Sequence, residues 1–116
     1  MKHTQYTDKS TGETLTRTVN EHGIQSYRNA YGNRHRIDGP AYISGDYQSW
    51  WVDGNHHRID GPAVIDGDRR EWWVDGNRHR TDGPAVIDGD RLEWWVDGKE
   101  YTEAEFNELT AKEVEE

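Results

Sequence analysis

Short apolar runs bounded by Gly and Asp residues recur along this chain and predict β-hairpins. One strand is predicted at residues 63–65 and its return strand at residues 69–74, where β-branched and aromatic side chains suit a pleated surface. Side chains alternate between the two faces of a strand, so Trp72 and Trp73 are expected on opposite faces. One tryptophan of each such pair should therefore point inward.

Turn residues separate the predicted strands. Residues 66–68 (Asp-Gly-Asp) predict the loop of the hairpin, and Asp75-Gly76 is the dipeptide most associated with a type I′ turn. Residues 60–62 (Asp-Gly-Pro) predict a further turn, in which glycine would supply a positive φ and proline a fixed one. The connector at residues 77–80 is open to two interpretations, a linker or a third short strand.

The same pattern repeats every 22 residues. Trp-Trp-Val-Asp-Gly begins at residues 50, 72 and 94, and Asp-Gly-Pro-Ala begins at residues 38, 60 and 82. A fixed period of this size is typical of stacked repeats. We divide the single domain of residues 1–116 into a polar lead that is either frayed or an edge strand (1–10), a degenerate capping repeat (11–32), three full repeats (33–54, 55–76 and 77–98) and an acidic C-terminal helix (99–116).

The predicted fold class is mainly β: an array of antiparallel β-hairpins that forms an elongated twisted sheet or open roll, with a short α-helix as a C-terminal cap. Hydrophobic residues make up only 31% of the 116 residues, too few for a thick core. The six Trp and six Tyr residues can each bury roughly 150–250 Å², which favours a thin sheet held by aromatic rings. We expect two ladders in which like rings pack on like, Trp50, Trp72 and Trp94 in one and Trp51, Trp73 and Trp95 in the other.

The C-terminal segment predicts a short amphipathic helix. Thr102 and Glu105 have the spacing of a capping box, with Thr102 as the N-cap. Phe106, Leu109 and Val114 fall on one side of this helix. The helix is expected to cover the open end of the last repeat, where an exposed sheet edge would invite aggregation.

Net charge narrows the classes of partner. The chain carries −9 at pH 7, which disfavours direct binding to nucleic acids or anionic membranes. Seven of the acidic residues lie in the last 18 positions. Thiolate sites are excluded because there is no Cys, and no apolar run is typical of a secretion signal or a membrane span. The cytoplasm is therefore the expected location.

The repeated histidines and aspartates invite a search for chemistry. His35, His57 and His79 each precede an Asp by three residues. Equivalent atoms two strands apart are about 9–10 Å from one another, whereas a Zn²⁺ ion holds its nitrogens at about 2.0–2.1 Å. We expect each histidine, together with the arginine beside it, to hydrogen-bond the Asp-Gly turn that follows. The Asp-Gly-Asp loops lack the later oxygen ligands of a calcium site, so we predict no metal, no cofactor, no catalytic residue and no enzyme activity.

The repeat unit resembles a known family. Asn-x-His-Arg-x-Asp-Gly-Pro-Ala-x-Ile-x-Gly followed by Trp-Trp-Val-Asp-Gly is similar to the MORN-like repeat of bacterial antitoxin-type components and small bacteriophage proteins. The resemblance covers residues 33–98 well and residues 11–32 loosely. It implies antiparallel hairpins used for protein contacts and often for self-association. Asp-Gly-Asn-x-His-Arg stands where typical MORN repeats carry Gly-x-Gly. A weaker likeness is to choline-binding repeats.

Three functions follow as hypotheses. The first is a non-catalytic protein that binds and neutralises another protein, as an antitoxin or a phage inhibitor of host defence would in the cytoplasm of an infected bacterium. The second is a module for glycans or choline-like cations, and the third is an acidic mimic of nucleic acid. A homodimer is also expected, because a thin sheet has open edges. The candidate partner-binding residues are Trp50, Trp51, Trp72, Trp73, Trp94, Trp95, Glu103, Glu105 and Glu108.

Overall fold

The fold is seen in a computed structural model that describes residues 1–114, with side chains up to Ala111. It is mainly β, as predicted, with one helix at the C-terminal end. The elements in chain order are β1 (Lys2–Thr7), β2 (Thr14–Val19), β3 (Gln25–Arg28), β4 (Tyr42–Ser44), β5 (Tyr47–Ser49), β6 (Trp51–Val52), β7 (Asn55–His56), β8 (Val64–Asp66), β9 (Arg69–Glu71), β10 (Trp73–Val74), β11 (Asn77–Arg78), β12 (Val86–Asp88), β13 (Arg91–Val96), β14 (Lys99–Tyr101) and α1 (Glu103–Val114).

The strands form an open antiparallel sheet. Its order is β1-β2-β3-β4-β5-β8-β9-β12-β13-β14, so β1 and β14 are the edges. Two small hairpins, β6-β7 and β10-β11, lie outside this order. The molecule measures 50 × 30 × 19 Å and its radius of gyration is 16.3 Å, against about 13 Å for a compact domain of this length. The array is therefore elongated.

Each repeat contributes two hairpins. The first, such as β8-β9, joins the main sheet, and in the second, such as β10-β11, the end of the repeat pairs with the start of the connector that follows. The connector is thus a third short strand, which decides between the two interpretations of the sequence. Asp75 (φ 51) and Gly76 (φ 80) both take positive φ, which confirms the type I′ turn.

Backbone hydrogen bonds hold one repeat to the next. The Trp50 N–H donates to the Ala63 carbonyl at 2.7 Å, and the Trp72 N–H to the Ala85 carbonyl at 2.8 Å. The small hairpins are tied in the same way, because the Gly76 N–H donates to the His56 carbonyl at 2.9 Å. A repeat is therefore stabilised mainly by its neighbours.

Successive tryptophans do not pack on each other, so the expected ladders of like rings are wrong. The His56 ring lies between Trp51 and Trp73, with ring centroids 3.9 and 5.2 Å away. The Arg78 guanidinium lies 5.2 Å from both the Trp73 and the Trp95 centroid. Repeats advance by two strands, or about 9–10 Å, whereas packed rings need about 4.5–7 Å between centroids. A side chain from the connector therefore fills each interval.

The inward and outward assignment of the tryptophans also needs correction. All six are half-buried, so no pair divides into one buried and one exposed ring. Both faces of the sheet carry covering side chains, and these come from the connectors. Arg58 and Arg80 cover Trp50 and Trp72 on one face, with guanidinium carbons 4.0 and 3.8 Å from the ring centroids.

The Asp-Gly-Pro turns are built around an arginine. Arg58 donates from Nε to Asp60 Oδ1 and from Nη1 to the Pro62 carbonyl, both at 3.0 Å. A Cβ on Gly61 would lie 2.9 Å from the Arg58 guanidinium carbon. Gly61 does not take a positive φ, contrary to the sequence argument. Glycine is needed here because the guanidinium lies directly against the backbone. We call residues 36–40, 58–62 and 80–84 the first, second and third Asp-Gly-Pro loops.

Both ends of the array are formed by non-repeated segments. At the C-terminal end, Thr102 and Glu105 make the predicted capping box, at 2.8 and 3.1 Å. Phe106 is buried as expected for the apolar side of the helix, whereas Leu109 is exposed and contributes less to this packing than expected. The Val114 side chain and residues 115–116 lie outside the described residues.

The N-terminal end pairs as an edge. The polar lead supplies β1, which joins β2 along its whole length. Tyr27 takes the structural place of Trp50, since its N–H donates to the Ala41 carbonyl at 2.8 Å just as Trp50 does to Ala63.

Candidate functional site

Most of the candidate tryptophans already contact the protein's own side chains. Trp50 and Trp72 are covered by arginines, and Trp51, Trp73 and Trp95 alternate with Arg34, His56 and Arg78. Trp94 is different, because within the described residues no ring or guanidinium packs on it. The position one repeat after Arg80 is Thr102, so the array ends before the side chain that would cover Trp94.

Buried glutamates hold the Trp73 and Trp95 rings in place. Trp73 Nε1 donates to Glu71 at 2.8 Å, and Trp95 Nε1 donates to Glu93 at 2.9 Å. Burial opposes the charge of Glu71, but hydrogen bonds from Arg69 and Trp73 outweigh it and hold the pKa of this carboxyl below its usual value. The hydrogen bond from Trp95 lowers the pKa of Glu93. These carboxylates are thus occupied by structural contacts.

Three side chains alternate with Trp51, Trp73 and Trp95, and of these His56 is the uncharged one. Burial between Trp51 and Trp73 lowers its pKa, so the imidazole is neutral at pH 7. Arg34 and Arg78 hold the equivalent positions with a positive charge. The row therefore accepts either a guanidinium or a neutral ring of similar thickness.

Two of the three candidate glutamates lie beside Trp94. A groove of about 420 Å³ at the C-terminal end is lined by Leu92, Glu93, Trp94, Glu100, Tyr101, Thr102, Glu103 and Glu105. Glu105 also closes the capping box, and the Thr102 N–H lowers its pKa. Glu108 is exposed on α1 and does not line this groove. We call this space the C-terminal groove.

The three repeated histidines bond to turns. The Asp53, Asp75 and Asp97 N–H groups each donate to the Nδ1 atom of a histidine 18 residues earlier, at 3.0 Å. Each histidine therefore ties its connector to an Asp-Gly turn 18 residues later. The Asp-Gly-Pro turn that directly follows it is bonded by the neighbouring arginine instead, so the expected pair is divided between two turns. Among the side chains that the structure describes, up to Ala111, no group of three His, Asp or Glu residues could bind a metal ion. No helix in the described part of the chain is long and apolar enough to cross a membrane.

Sequence reasoning missed the contact that sets the first Asp-Gly-Pro loop apart. Asp8, at the tip of the β1-β2 hairpin, is completely buried. Its Oδ2 accepts the Ile37 N–H at 2.7 Å and the Asp38 N–H at 3.1 Å, while Oδ1 accepts the Ser10 and Thr11 N–H groups. Burial opposes its charge, but the backbone donors outweigh this and lower the pKa of Asp8.

The same hairpin also supplies donors to the loop. The Tyr6 hydroxyl donates to Asp38, and the Lys9 N–H donates to Asp38 Oδ2 at 2.8 Å. The Arg36 guanidinium contacts both the Tyr27 and the Tyr6 ring, 4.2 and 5.0 Å from their centroids, and the two rings also pack edge-to-face on each other at 5.1 Å. The hairpin therefore both accepts hydrogen bonds from the loop and donates hydrogen bonds to it.

The second loop has the same sequence and no cover. Residues 36–40 and 58–62 both read Arg-Ile-Asp-Gly-Pro. The Asp38 side chain is 7% exposed and the Asp60 side chain 86% exposed. Ile37 is 42% exposed and Ile59 is 76% exposed. In the third loop, Asp82 is 84% exposed. The difference between identical loops therefore comes from the β1-β2 hairpin.

A groove of about 670 Å³ separates the second and third loops. It is lined by Arg58, Ile59, Asp60, Gly61, Trp72, Val74, His79, Arg80, Thr81 and Asp82. Within residues 1–114, no hydrogen-bond partner is found for the Ile59, Asp60 and Thr81 N–H groups. We call this space the loop groove.

No family model, curated protein or solved structure matches this chain. The resemblance to MORN-like repeats thus stays a prediction. The candidate sites are defined by the geometry of the chain itself.

Asp8→Asn tests how the hairpin covers the first loop. The amide would turn an N–H₂ group toward backbone donors, so we expect a loss of about 1–3 kcal/mol of unfolding free energy at pH 7. The pKa of Asp8 is lowered in the folded state, so this stabilisation exists above its unfolded pKa and is lost as the pH falls through the folded pKa. Urea unfolding of both proteins from pH 7 to pH 2 should show the difference closing below pH 4, near the unperturbed pKa of about 3.9.

The exposed equivalent Asp60→Asn is the control and should change stability by about 1 kcal/mol or less. Equal stability of Asp8→Asn and the unaltered protein at pH 7 would contradict the assigned role. So would a difference that persists unchanged at the acid end of the series.

Proposed function

We propose that this protein is a non-catalytic repeat protein that binds another protein along its Asp-Gly-Pro loops and thereby neutralises it. The observation that carries the proposal is the contrast between two identical loops, one covered by the protein's own hairpin and one open. The open loops are rigid, because Arg58 and Arg80 brace them from within. A rigid surface with unused hydrogen-bonding groups loses little conformational entropy when it binds.

The loop groove has the composition of a protein-binding surface. Ile59 is a large, exposed apolar side chain, and Trp72 and Val74 line the same groove. Charged residues of both signs, such as Arg58 and Asp60, surround them. An apolar centre with a polar rim is the usual anatomy of such contacts.

The non-catalytic part of the proposal rests on repetition. His57 and His79 have the same backbone-bonding role, and Asp60 and Asp82 each pair with the arginine two residues earlier in their own loop. An active site needs one arrangement of unlike groups. Residues that recur with the same contacts in each repeat are better explained as parts of the scaffold.

Neutralisation, as an antitoxin or a phage inhibitor in the cytoplasm of an infected bacterium, is suggested by the MORN-like resemblance. Homodimer formation through the open edges β1 and β14 stays a prediction. Mimicry of nucleic acid is less favoured, since Glu105 is committed to the capping box and Glu103 lies in the C-terminal groove. All three candidate glutamates are exposed, and of the three Glu108 alone takes part in neither the capping box nor the groove.

A second candidate function is recognition of a cation in the C-terminal groove. Trp50 and Trp72 each carry an arginine at 4.0 and 3.8 Å, and Trp94 does not. Glu93, Glu100, Glu103 and Glu105 line the groove beside it. A guanidinium or quaternary ammonium group would meet an aromatic face and negative charge there.

The first candidate predicts selective loss of a bound protein. Ile59→Glu should reduce capture of the partner from a lysate of the encoding organism at least tenfold, as expected for a central contact. Tyr31→Glu is the matched control, because Tyr31 is 88% exposed and does not line the loop groove. Quantitative mass spectrometry of proteins bound to the immobilised chain provides the measurement. If every captured protein is retained equally by all three chains, the proposal is wrong.

The second candidate predicts a change at one indole. Titration with choline and with N-acetylarginine amide should shift the Trp94 Nε1–H resonance in a saturable way, with a dissociation constant in the millimolar range. Glu103→Gln should weaken the effect, and the neutral citrulline analogue should have none. Equal shifts at all six indoles, or none at all, would exclude this site.

A further inference from the structure

We propose that the loop groove binds a tight turn of the partner protein that carries an aspartate, preceded by a tyrosine two residues earlier. This inference rests on the proposed function for its site and adds the chemistry of the segment that fills it. The template is the protein's own Tyr6-Thr7-Asp8 on the first loop.

The carboxylate is the first element of the template. Asp8 satisfies two N–H groups of the first loop and, with its other oxygen, two N–H groups of its own turn. In this template, one carboxylate oxygen accepts hydrogen bonds from the backbone of its own turn, and the other oxygen accepts hydrogen bonds from the loop. In the open loops, the Ile59, Asp60 and Thr81 N–H groups have no partner within the described chain. Carboxylates bond strongly to such donors.

The aromatic ring is the second element. Arg36 contacts two rings, Tyr27 and Tyr6, which also pack edge-to-face on each other. Arg80 has one ring, Trp72 at 3.8 Å, and within residues 1–114 no second ring covers its guanidinium. A tyrosine in the loop groove would complete the same arrangement. Its hydroxyl would donate to Asp82 as the Tyr6 hydroxyl donates to Asp38.

A donor on the turn is the third element. Asp38 binds Arg36 through Oδ1 and uses Oδ2 for the Tyr6 hydroxyl and the Lys9 N–H. Asp60 and Asp82 also bind their arginines through Oδ1, and both are exposed. A segment that brings only negative charge would face these carboxylates. A turn that brings an aspartate together with N–H and O–H donors matches both signs of charge.

The space is adequate for this ligand. The loop groove of about 670 Å³ lies within the range of about 300–1,000 Å³ that is usual for ligand sites. It opens between two loops of nearly identical build, Arg-Ile-Asp-Gly-Pro and Arg-Thr-Asp-Gly-Pro. The groove is thus a second place at which a template-like segment fits.

A cyclic peptide tests the proposal without knowledge of the partner. It has the sequence of residues 6–15, with Thr7→Cys and Thr14→Cys joined by a disulfide. These residues are cross-strand neighbours next to the bonded pair Asp8 and Glu13, a position where side chains approach closely. The peptide is titrated into the complete ¹⁵N-labelled protein. We expect saturable shifts of the Ile59, Asp60, Thr81 and Asp82 amides, and about tenfold weaker binding by the Asp8→Asn peptide.

The first loop serves as the internal control, because its amides at Ile37 and Asp38 are already bonded and should not shift. Absence of shifts at the open loops, shifts confined to the first loop, or equal binding of the Asp8→Asn peptide would each overturn the inference. The outcome is separable from that of the proposed function. If the peptide binds but no partner is captured, the binding site is supported and the proposed function is wrong. If Ile59→Glu loses a captured partner but the peptide does not bind, the proposed function is supported and the inference about its ligand is wrong.

Discussion

The spacing between repeats is the constraint on which the structure depends. A unit that adds two strands to a sheet moves its side chains by about 9–10 Å, too far for one tryptophan to contact the next. The connector of each repeat returns a flat side chain into this interval, His56 or Arg78 in one row. On the other face, Arg58 and Arg80 each cover a single ring, Trp50 and Trp72. This chain thus forms a continuous row of alternating aromatic and basic groups that are half-buried. The fully buried core is separate and is made mainly of small aliphatic side chains, such as Ala41, Ala63 and Val86.

This arrangement also determines the surface. Because Arg58 lies against Gly61 and bonds both Asp60 and the Pro62 carbonyl, the Asp-Gly-Pro loop is held rigid at the rim of the sheet. Arg58, which covers the Trp50 ring, therefore also holds the loop at the surface. At the N-terminal end the β1-β2 hairpin covers this surface, and in the next two repeats it stays open. At the C-terminal end no arginine follows Trp94, which leaves its ring beside a row of glutamates.

The sequence was sufficient for the features that depend on local or periodic information. The 22-residue period predicts the hairpin array, Asp75-Gly76 predicts its type I′ turn, and Thr102 and Glu105 predict the helix start. Contacts between unlike residues were not predictable in this way. The period indicates that Trp51 and Trp73 are equivalent, but not that His56 lies between them. Asp8 belongs to no repeat, so its bond to Ile37 and Asp38, 29 and 30 residues away, has no periodic signal.

The order of rings along one row tests the account most directly. Nuclear Overhauser contacts measured in the ¹³C-labelled protein should join the Trp73 indole to the His56 ring on one side and to the Arg78 side chain on the other. No direct contact should join the Trp51 and Trp73 indoles, since His56 separates them. Direct contacts between these indoles, with His56 and Arg78 free in solvent, would show that like rings pack on like and would contradict the account.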